Sequence, residues 1–392
     1  MRLYDENKLK NDPAANFGRL YQQCTVSVMD TIADPNITFD EKGICNYYYK
    51  YKEYEKSGVL KGPEGEAKLQ EIVEKIKENG QGKKYDCITG VSGGVDSTYL
   101  ALKAKQLGLR PLIVHFDNGW NSEIAVNNIE NIIQKLGLDL FTLVVSWPEF
   151  KDIQLSYLKA SVVDIEAITD HAIIGTLYKL AAKYDIKYIL SGNNIVTEAI
   201  LPHHWAWNKT DHRNIKSIHE KHGSISIKSY PFFTTKEKKY YTLVKGIEIV
   251  SPLNFLEYNK SKIKNVIADE LNWVDYGGKH FESIFTRFYQ GYILPVKFSI
   301  DKRKAHLSNL IFSGQIDKEM AVDELKNPIY DINQLMSDYE FVLKKLSLTK
   351  LEFDAIMEQP RVEHDFYDYE KSIWDRYPFL SPLRPFWRLI NG

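Results

Sequence analysis

An excess of charge of either sign is missing from this chain. Its 51 Lys and Arg residues stand against 52 Asp and Glu, a formal net charge of −1 over 392 residues. No general positive surplus therefore points to a polyanion-binding protein, although a local basic groove stays open. Cysteine is scarce as well. Cys24, Cys45 and Cys87 are the three present, an odd count too small for a disulfide framework and suited to a reducing compartment. No apolar run approaches the ~18–20 residues that span a bilayer, and the opening Met1-Arg2-Leu3-Tyr4-Asp5 lacks the apolar centre of a signal peptide. The expectation is a cytoplasmic protein with no membrane partner. Glycine (22) and proline (14) are too few for a collagen-like or low-complexity chain. Apolar residues, in contrast, make up 44% of the chain and aromatics 13%, enough to build sizeable cores. The length suggests two or three domains.

Residues 1–62 are aromatic and rich in turn signals, such as Asp34-Pro35-Asn36 and Asp40-Glu41-Lys42-Gly43, and read as a small irregular module. Between Glu64 and Glu78, apolar residues at Leu69, Ile72, Val73 and Ile76 predict a helix. An α/β rhythm follows. Strand-like runs occupy 87–89, 112–116, 140–145, 188–190 and 247–250, with helical patterns over 97–107, 122–136 and 170–184. That alternation predicts a doubly wound parallel sheet, whose ligands lie at the carboxyl ends of the strands. From about 256 the pattern is mainly helical. The expected division is 1–62, an α/β nucleotide domain over 63–255, and a helical region over 256–392.

The most informative string is Val91-Ser92-Gly93-Gly94-Val95-Asp96-Ser97-Thr98, placed after the first strand and opening a helix. Gly93 and Gly94 permit backbone angles closed to other residues and let N–H groups approach an anion. Ser92 and Ser97 add hydroxyl donors. The helix that begins at Val95 turns its positive end to the same place. Asp96 beside phosphate calls for a cation between them, so it reads as a Mg²⁺ ligand. The Gly-Lys-Ser/Thr ending of a Walker A loop is missing. This string resembles the PP-loop of the N-type ATP pyrophosphatases, which cleave ATP between its α and β phosphates and adenylylate an oxygen of the substrate. The resemblance implies an adenine nucleotide alpha-hydrolase-like fold and a site for ATP and Mg²⁺. At the end of the second strand, His115, Asp117 and Asn118 are candidates for the adenosine side, and Gly192 follows the fourth strand on the same rim.

Further strings resemble one branch, the N-acetyl sugar amidotransferases of the WbpG/PseA type, which serve bacterial surface polysaccharide (LPS O-antigen) or flagellar glycan synthesis. They are Val28-Met29-Asp30-Thr31, the run from His115 to Ser122, Asp164-Ile165-Glu166 with Asp170-His171, Tyr276 to Ser283, Phe285 to Gln290, and Lys297 to Ser308. The resemblance implies conversion of an acetamido group to an acetamidino group through an adenylylated amide. It also implies ammonia from a separate glutaminase of the HisH/HisF kind. The family's opening carries two Cys-x-x-Cys pairs, but here the four positions hold Cys24, Ser27, Cys45 and Tyr48. Two thiols and two hydroxyls are poor zinc ligands, so no zinc is expected and Cys24 and Cys45 read as a remnant.

The catalytic candidates are Asp96, Asp170, Glu198, Lys279, Arg303 and His306, with Lys302 beside them. The cations would meet pyrophosphate or an acidic sugar, and Asp170 and Glu198 would orient ammonia or the amide. No cysteine here has a glutaminase context, and Arg2 stands where an N-terminal nucleophile would need Cys, so the ammonia source is expected in a partner. The His- and Trp-rich stretch from Leu201 through His222 is expected to be a substrate-covering loop with aromatic sugar contacts. A PP-loop tRNA-modifying enzyme and a non-catalytic ATP sensor are the alternatives. The charge balance offers no nucleic-acid partner. The particular sugar and the oligomeric state leave no signature.

Overall fold

The structure is a computed structural model, and it describes residues 3–278, 281–371 and 379. Five strands form one sheet: β1 (Cys87–Gly90), β2 (Pro111–Asp117), β3 (Leu140–Val144), β4 (Tyr188–Leu190) and β5 (Glu248–Val250). Their order is β3-β2-β1-β4-β5, and all neighbours run parallel. The chain is thus a doubly wound parallel α/β protein with a helical C-terminal portion and a small N-terminal portion, where the irregular module expected over 1–62 is corrected by the Asn46–Gly58 helix, built on Tyr47 and Tyr51 buried one turn apart.

The sequence of the central strands explains their place. β2 is nearly continuous in apolar residues and buried from Pro111 to Phe116, as a strand covered on both faces must be. Alternate residues leave opposite faces. Ile88, Leu112, Val114 and Ile189 pack with Tyr178 and Ala181 of the Ala167–Lys183 helix. Cys87, Ile113 and Leu190 pack with Leu100 and Ala101 of the Val95–Gln106 helix and Ile129 and Ile132 of the Glu123–Leu136 helix. β3 and β5 are the edges, and each leaves apolar residues exposed.

The chain steps from β1 outward through β2 to β3, then returns to β4 on the other side of β1. The direction reverses between β1 and β4, and at their carboxyl ends this leaves the crevice where such sheets bind ligands. The Ser-Gly-Gly loop leaves β1 at that point and Gly192 follows β4. The helix expected to begin at Ser97 starts at Val95, because the glycine pair lets the chain turn directly into it. The one expected from Asp170 begins at Ala167.

A third core starts from Phe116 of β2 and Leu143 of β3 and joins both ends of the chain. Met29 and Tyr51 pack there with Phe150, Tyr157, Phe288 and Phe353. The fully buried Lys304 is ion-paired with Asp30 and Glu6 across this junction. The stretch 201–222 is corrected by this core. Trp205 is 1% exposed and donates its indole N–H to the Ala33 carbonyl at 2.9 Å. Trp207 stacks on His364, and His222 lies 2.9 Å from the Tyr367 hydroxyl. These rings fasten the interior, because burying their large apolar area outweighs leaving it in a solvent-facing loop. Among the described residues no helix is long and apolar enough to cross a membrane.

Candidate active site

Gly93 has φ +80°, and a Cβ there would lie 2.7 Å from the Ala125 carbonyl oxygen, so backbone and space both demand glycine. The Gly93 carbonyl accepts from the Trp273 indole at 2.8 Å, while Asn128 exchanges hydrogen bonds with Val274, at 2.9 Å as donor and 2.8 Å as acceptor. The loop is therefore anchored from behind by the segment after the Lys260–Leu271 helix. A Cβ on Gly94 would stand 3.1 Å from the Ser92 hydroxyl and 3.2 Å from that of Tyr276. Ser92 N–H donates to Ser97 Oγ at 3.3 Å, and no side chain caps the helix start at Gly94. Gly192 closes the other wall, with Asp96 and Ser97 backbone atoms 3.4 Å from where its Cβ would be.

Carboxylates crowd this loop. Asp96 accepts from the Tyr258 hydroxyl. Burial, then the Asp96 charge, pushes that phenol up, and Glu198 adds to the shift. Burial, then Glu282 and Asp96, pushes the Tyr276 phenol up in the same way. Three carboxylates beside a glycine cradle and a helix start fit a triphosphate carrying a hard divalent cation. Among the described residues no group of three or more His, Cys, Asp and Glu could hold a metal alone. Mg²⁺ does not need one, since it takes most of its ligands from phosphate and water. In the N-terminal portion, Cys45 N–H donates to Cys24 Sγ at 3.2 Å and Ser27 Oγ lies 3.8 Å from Cys45 Sγ.

The rim after β2 carries the predicted adenosine residues. His115 spans from the Val91 carbonyl at 3.1 Å to Asn121 at 3.0 Å. Asp117 accepts from Gly119 N–H at 2.8 Å and from Asn121 at 3.1 Å. Asn118 accepts from Trp120 N–H at 3.2 Å and reaches Thr169 at 3.4 Å. These side chains shape the turn by bonding within it. The rim also pairs with the C-terminal portion: Ser122 N–H donates to the Glu282 carbonyl at 2.9 Å, and Ile284 N–H to that of Trp120 at 2.8 Å.

Next to the rim lies a cluster of mixed charge. Glu166, at the start of the Ala167–Lys183 helix, accepts from the Thr286 hydroxyl at 3.0 Å. Lys209 bridges Asp164 at 2.5 Å and Asp170 at 3.1 Å. His171 fixes the Lys209 backbone: its Nδ1 donates to the Lys209 carbonyl at 2.9 Å, and its Nε2 accepts from Phe233 N–H at 2.9 Å. Burial pulls that imidazole down to about 4, so it is neutral and suited to this bridging. Burial, then the Asp170 charge, pushes Glu166 up to about 7. Burial pulls Lys302 down, although Asp164, Asp170 and Glu166 oppose it.

The structure brings Ser92, Gly93, Gly94, Val95, Asp96, Ser97, Gly192 and Glu198 together at the loop. Asp170 belongs to the mixed-charge cluster instead. Arg303 joins neither group. Its guanidinium lies against Asp301 at 2.8–3.1 Å and donates to the Asn327 carbonyl at 2.9 Å. An arginine so satisfied fastens its own turn, which corrects its expected contact with pyrophosphate. His306 sits one helical turn after Lys302 on the Arg303–Phe312 helix. Lys279 lies outside the described residues. Sequence reasoning missed Tyr258, Trp273 and Lys209, none of which stands in a local pattern that marks it, and gave no role to Thr286, which lies in the string 285–290.

The sheet order and the loop at its switch point define a doubly wound parallel α/β protein with a Ser-Gly-Gly turn at its ligand crevice. Its C-terminal part is of the WbpG type: residues 282–381 match the family model described as LPS biosynthesis protein WbpG-like, C-terminal domain. This bears out the resemblance read in the sequence. No curated protein matches the chain. Among solved structures it is similar to NH3-dependent NAD synthetase from Campylobacter jejuni subsp. jejuni NCTC 11168, at 15% identity and TM-score 0.26, covering 33% of this chain and 57% of that one. It thus spans a little over half the length of that synthetase. It is also similar to a predicted subunit of tRNA methyltransferase from Methanocaldococcus jannaschii DSM, at 13% identity and TM-score 0.27, covering 46% and 75% of the two chains. NMN synthetase from Francisella tularensis is similar at 13% identity and TM-score 0.29, covering 58% of this chain and 98% of that one.

Proposed function

We propose that this protein is an ATP-dependent amidotransferase that converts an N-acetyl group of a sugar to an acetamidino group, in the synthesis of a bacterial surface polysaccharide or flagellar glycan. One observation carries the reading. The WbpG-like segment begins at Glu282, whose Oε1 lies 3.5 Å from where a Cβ on Gly94 would stand, so the matched domain and the nucleotide loop meet at one site.

An amide is a poor electrophile, and replacing its oxygen requires that oxygen to become a leaving group. Attack of the amide oxygen on the α-phosphate of ATP releases pyrophosphate and leaves an adenylylated amide. Ammonia then adds at carbon, and the C–O bond breaks with its electron pair going to AMP. The loop N–H groups, Ser92 and Ser97 hold the phosphates, and the work is positioning and charge neutralisation. Mg²⁺, held by Asp96 together with phosphate oxygens, would supply charge neutralisation at the departing pyrophosphate. Glu198 and Glu282 line the same mouth, and the region from 256 onward completes it. Cys24, Cys45 and Cys87 are all buried and lack a glutaminase setting. Ammonia is therefore assigned to a partner glutaminase of the HisH/HisF kind, in the cytoplasm.

The test is release of AMP and pyrophosphate from ATP with Mg²⁺ and ammonium chloride, across a panel of N-acetylated nucleotide-sugars and nonulosonic acids. A product lighter than its sugar by about one mass unit, with one AMP per turnover, is expected. AMP release with tRNA and with no sugar would overturn the substrate class. ATP binding with no AMP under any condition, glutaminase partner included, would overturn the enzyme reading.

A further inference from the structure

We propose that Glu166 is the base that takes a proton from ammonium beside the adenylylated amide, and that Lys302 sets the pH at which it does so. This rests on the amidotransferase reading and adds a residue and a role to it.

Charged groups face Glu166 from several elements. Asp164 and Asp170 approach from its own segment and the helix it starts, Lys209 from the stretch after Trp205, Lys302 from the turn before the Arg303–Phe312 helix, and the neutral Tyr289 and Thr286 from the C-terminal helices. Lys209 is committed to Asp164 and Asp170, at 2.5 and 3.1 Å. Lys302 is partly buried, and its ammonium has no hydrogen bond or ion pair among the described residues. With Glu166 ionised, three carboxylates face two ammoniums. The cluster is then short of one positive charge, and it balances when Glu166 takes up a proton or a small cation enters.

Geometry adds direction. Thr286 occupies one oxygen of Glu166 and fixes the carboxyl. Thr286 belongs to the Ile284–Phe288 helix, whose first residue and whose cap Ser283 contact the rim, while Thr169, three residues after Glu166, is bonded to Asn118 of the same rim. The carboxyl is thus held beside the carboxyl end of β2, on the side of the C-terminal segment that meets the nucleotide loop. Ammonium is not a nucleophile, so one N–H proton must leave before attack. Glu166 carboxylate takes that proton, giving ammonia and a neutral carboxyl. The ammonia nitrogen forms the new C–N bond, AMP departs with the C–O electron pair, and Glu166 returns its proton to solvent. A base with a near-neutral proton affinity suits this exchange, and burial together with Asp170 moves Glu166 that way. Lys302 opposes the shift.

The test separates adenylylation from amination. Glu166→Gln keeps an oxygen for Thr286 and loses the base. Acceptor-dependent exchange of labelled pyrophosphate into ATP, which needs no ammonia, is expected to persist within about 3-fold of wild type. Amidine formation from ammonium chloride is expected to fall about 100-fold or more. Hydroxylamine, which is uncharged at physiological pH, should restore turnover in the variant. Lys302→Met is the second arm: it should move the ammonium-dependent rise in rate to higher pH and leave the hydroxylamine profile in place. Equal losses with both nucleophiles, or an unmoved profile in Lys302→Met, would overturn the role given to Glu166. Absence of exchange in the wild-type protein with every acceptor tried would overturn the amidotransferase reading itself, and the inference with it.

Discussion

The Ser-Gly-Gly loop after β1 and the mixed-charge cluster around Glu166 are built in opposite ways. The loop is four consecutive residues, 91–94, between one strand and one helix, shaped by glycine geometry and by backbone groups that carry no titrating proton. The cluster is gathered from four separated segments, around 164–170, 209, 286 and 302, and works through side chains whose proton affinities their neighbours set. A site made from backbone is fixed by local sequence and insensitive to pH. A site made from distant charges depends on every element that delivers one.

Four perturbations sharpen or break that contrast. The largest effect is expected from Gly93→Ala, whose methyl meets the Ala125 carbonyl in a left-handed turn. ATP-dependent AMP release should fall by about 100-fold or more, with ATP binding by calorimetry falling alongside, since removing such preorganised contacts costs that much. A variant that binds ATP normally would show that the cradle is not the nucleotide site. Second, Lys209→Met leaves the buried Asp164 without its cation. Breaking such a pair costs about 3–5 kcal/mol, and the partial exposure of Lys209 lowers the expectation to about 2 kcal/mol. A urea midpoint would measure it. Asp164 is held below its ordinary range, with burial opposed by Lys209. The stability this pair supplies is therefore present above the unfolded carboxylate range and lost as pH falls, so the variant and the wild type should converge in acid.

Third, Trp273→Phe removes the indole donor to the Gly93 carbonyl. A loss of about 1 kcal/mol is expected, the same at pH 6 and pH 8 because no titrating group is involved. A pH-dependent loss would break the contrast. Fourth is the stability of Glu166→Gln, read as a difference between two pH values. Folding raises Glu166 to about 7, so between the unfolded value near ~4.3 and about 7 the folded chain keeps a proton that the unfolded chain has lost. Wild-type stability therefore declines across that window. The variant should melt a few degrees higher than wild type at alkaline pH and at the same temperature near pH 4. Thermal melts at the two pH values would check it.

How far each region was legible follows from the same contrast. The strand runs and the loop string placed the sheet and the glycine cradle, because period and glycine geometry are properties of neighbouring residues. Helix starts moved by two or three residues, since a cap depends on backbone angles that composition does not fix. Lys302, Arg303 and Lys304 are three adjacent cations with a single local appearance. The fold sends one to the Glu166 cluster, folds one back onto Asp301 and buries one against Asp30 and Glu6. Trp205 likewise looks like a sugar-facing aromatic until the core that receives it is assembled.

Local sequence sets the alternation that makes a parallel sheet, the glycine pair that turns β1 into a helix start, and the WbpG-like character of the C-terminal strings, because each is carried by residues close together in the chain. Which charges meet depends on packing across the whole chain. Packing brought Lys209 and Thr286 to the carboxylates of 164–170, set Trp273 behind the loop and Tyr258 against Asp96, and spent Arg303 on its own turn. Burial acts on whichever groups the fold makes neighbours, and no local pattern encodes a neighbour a hundred residues away.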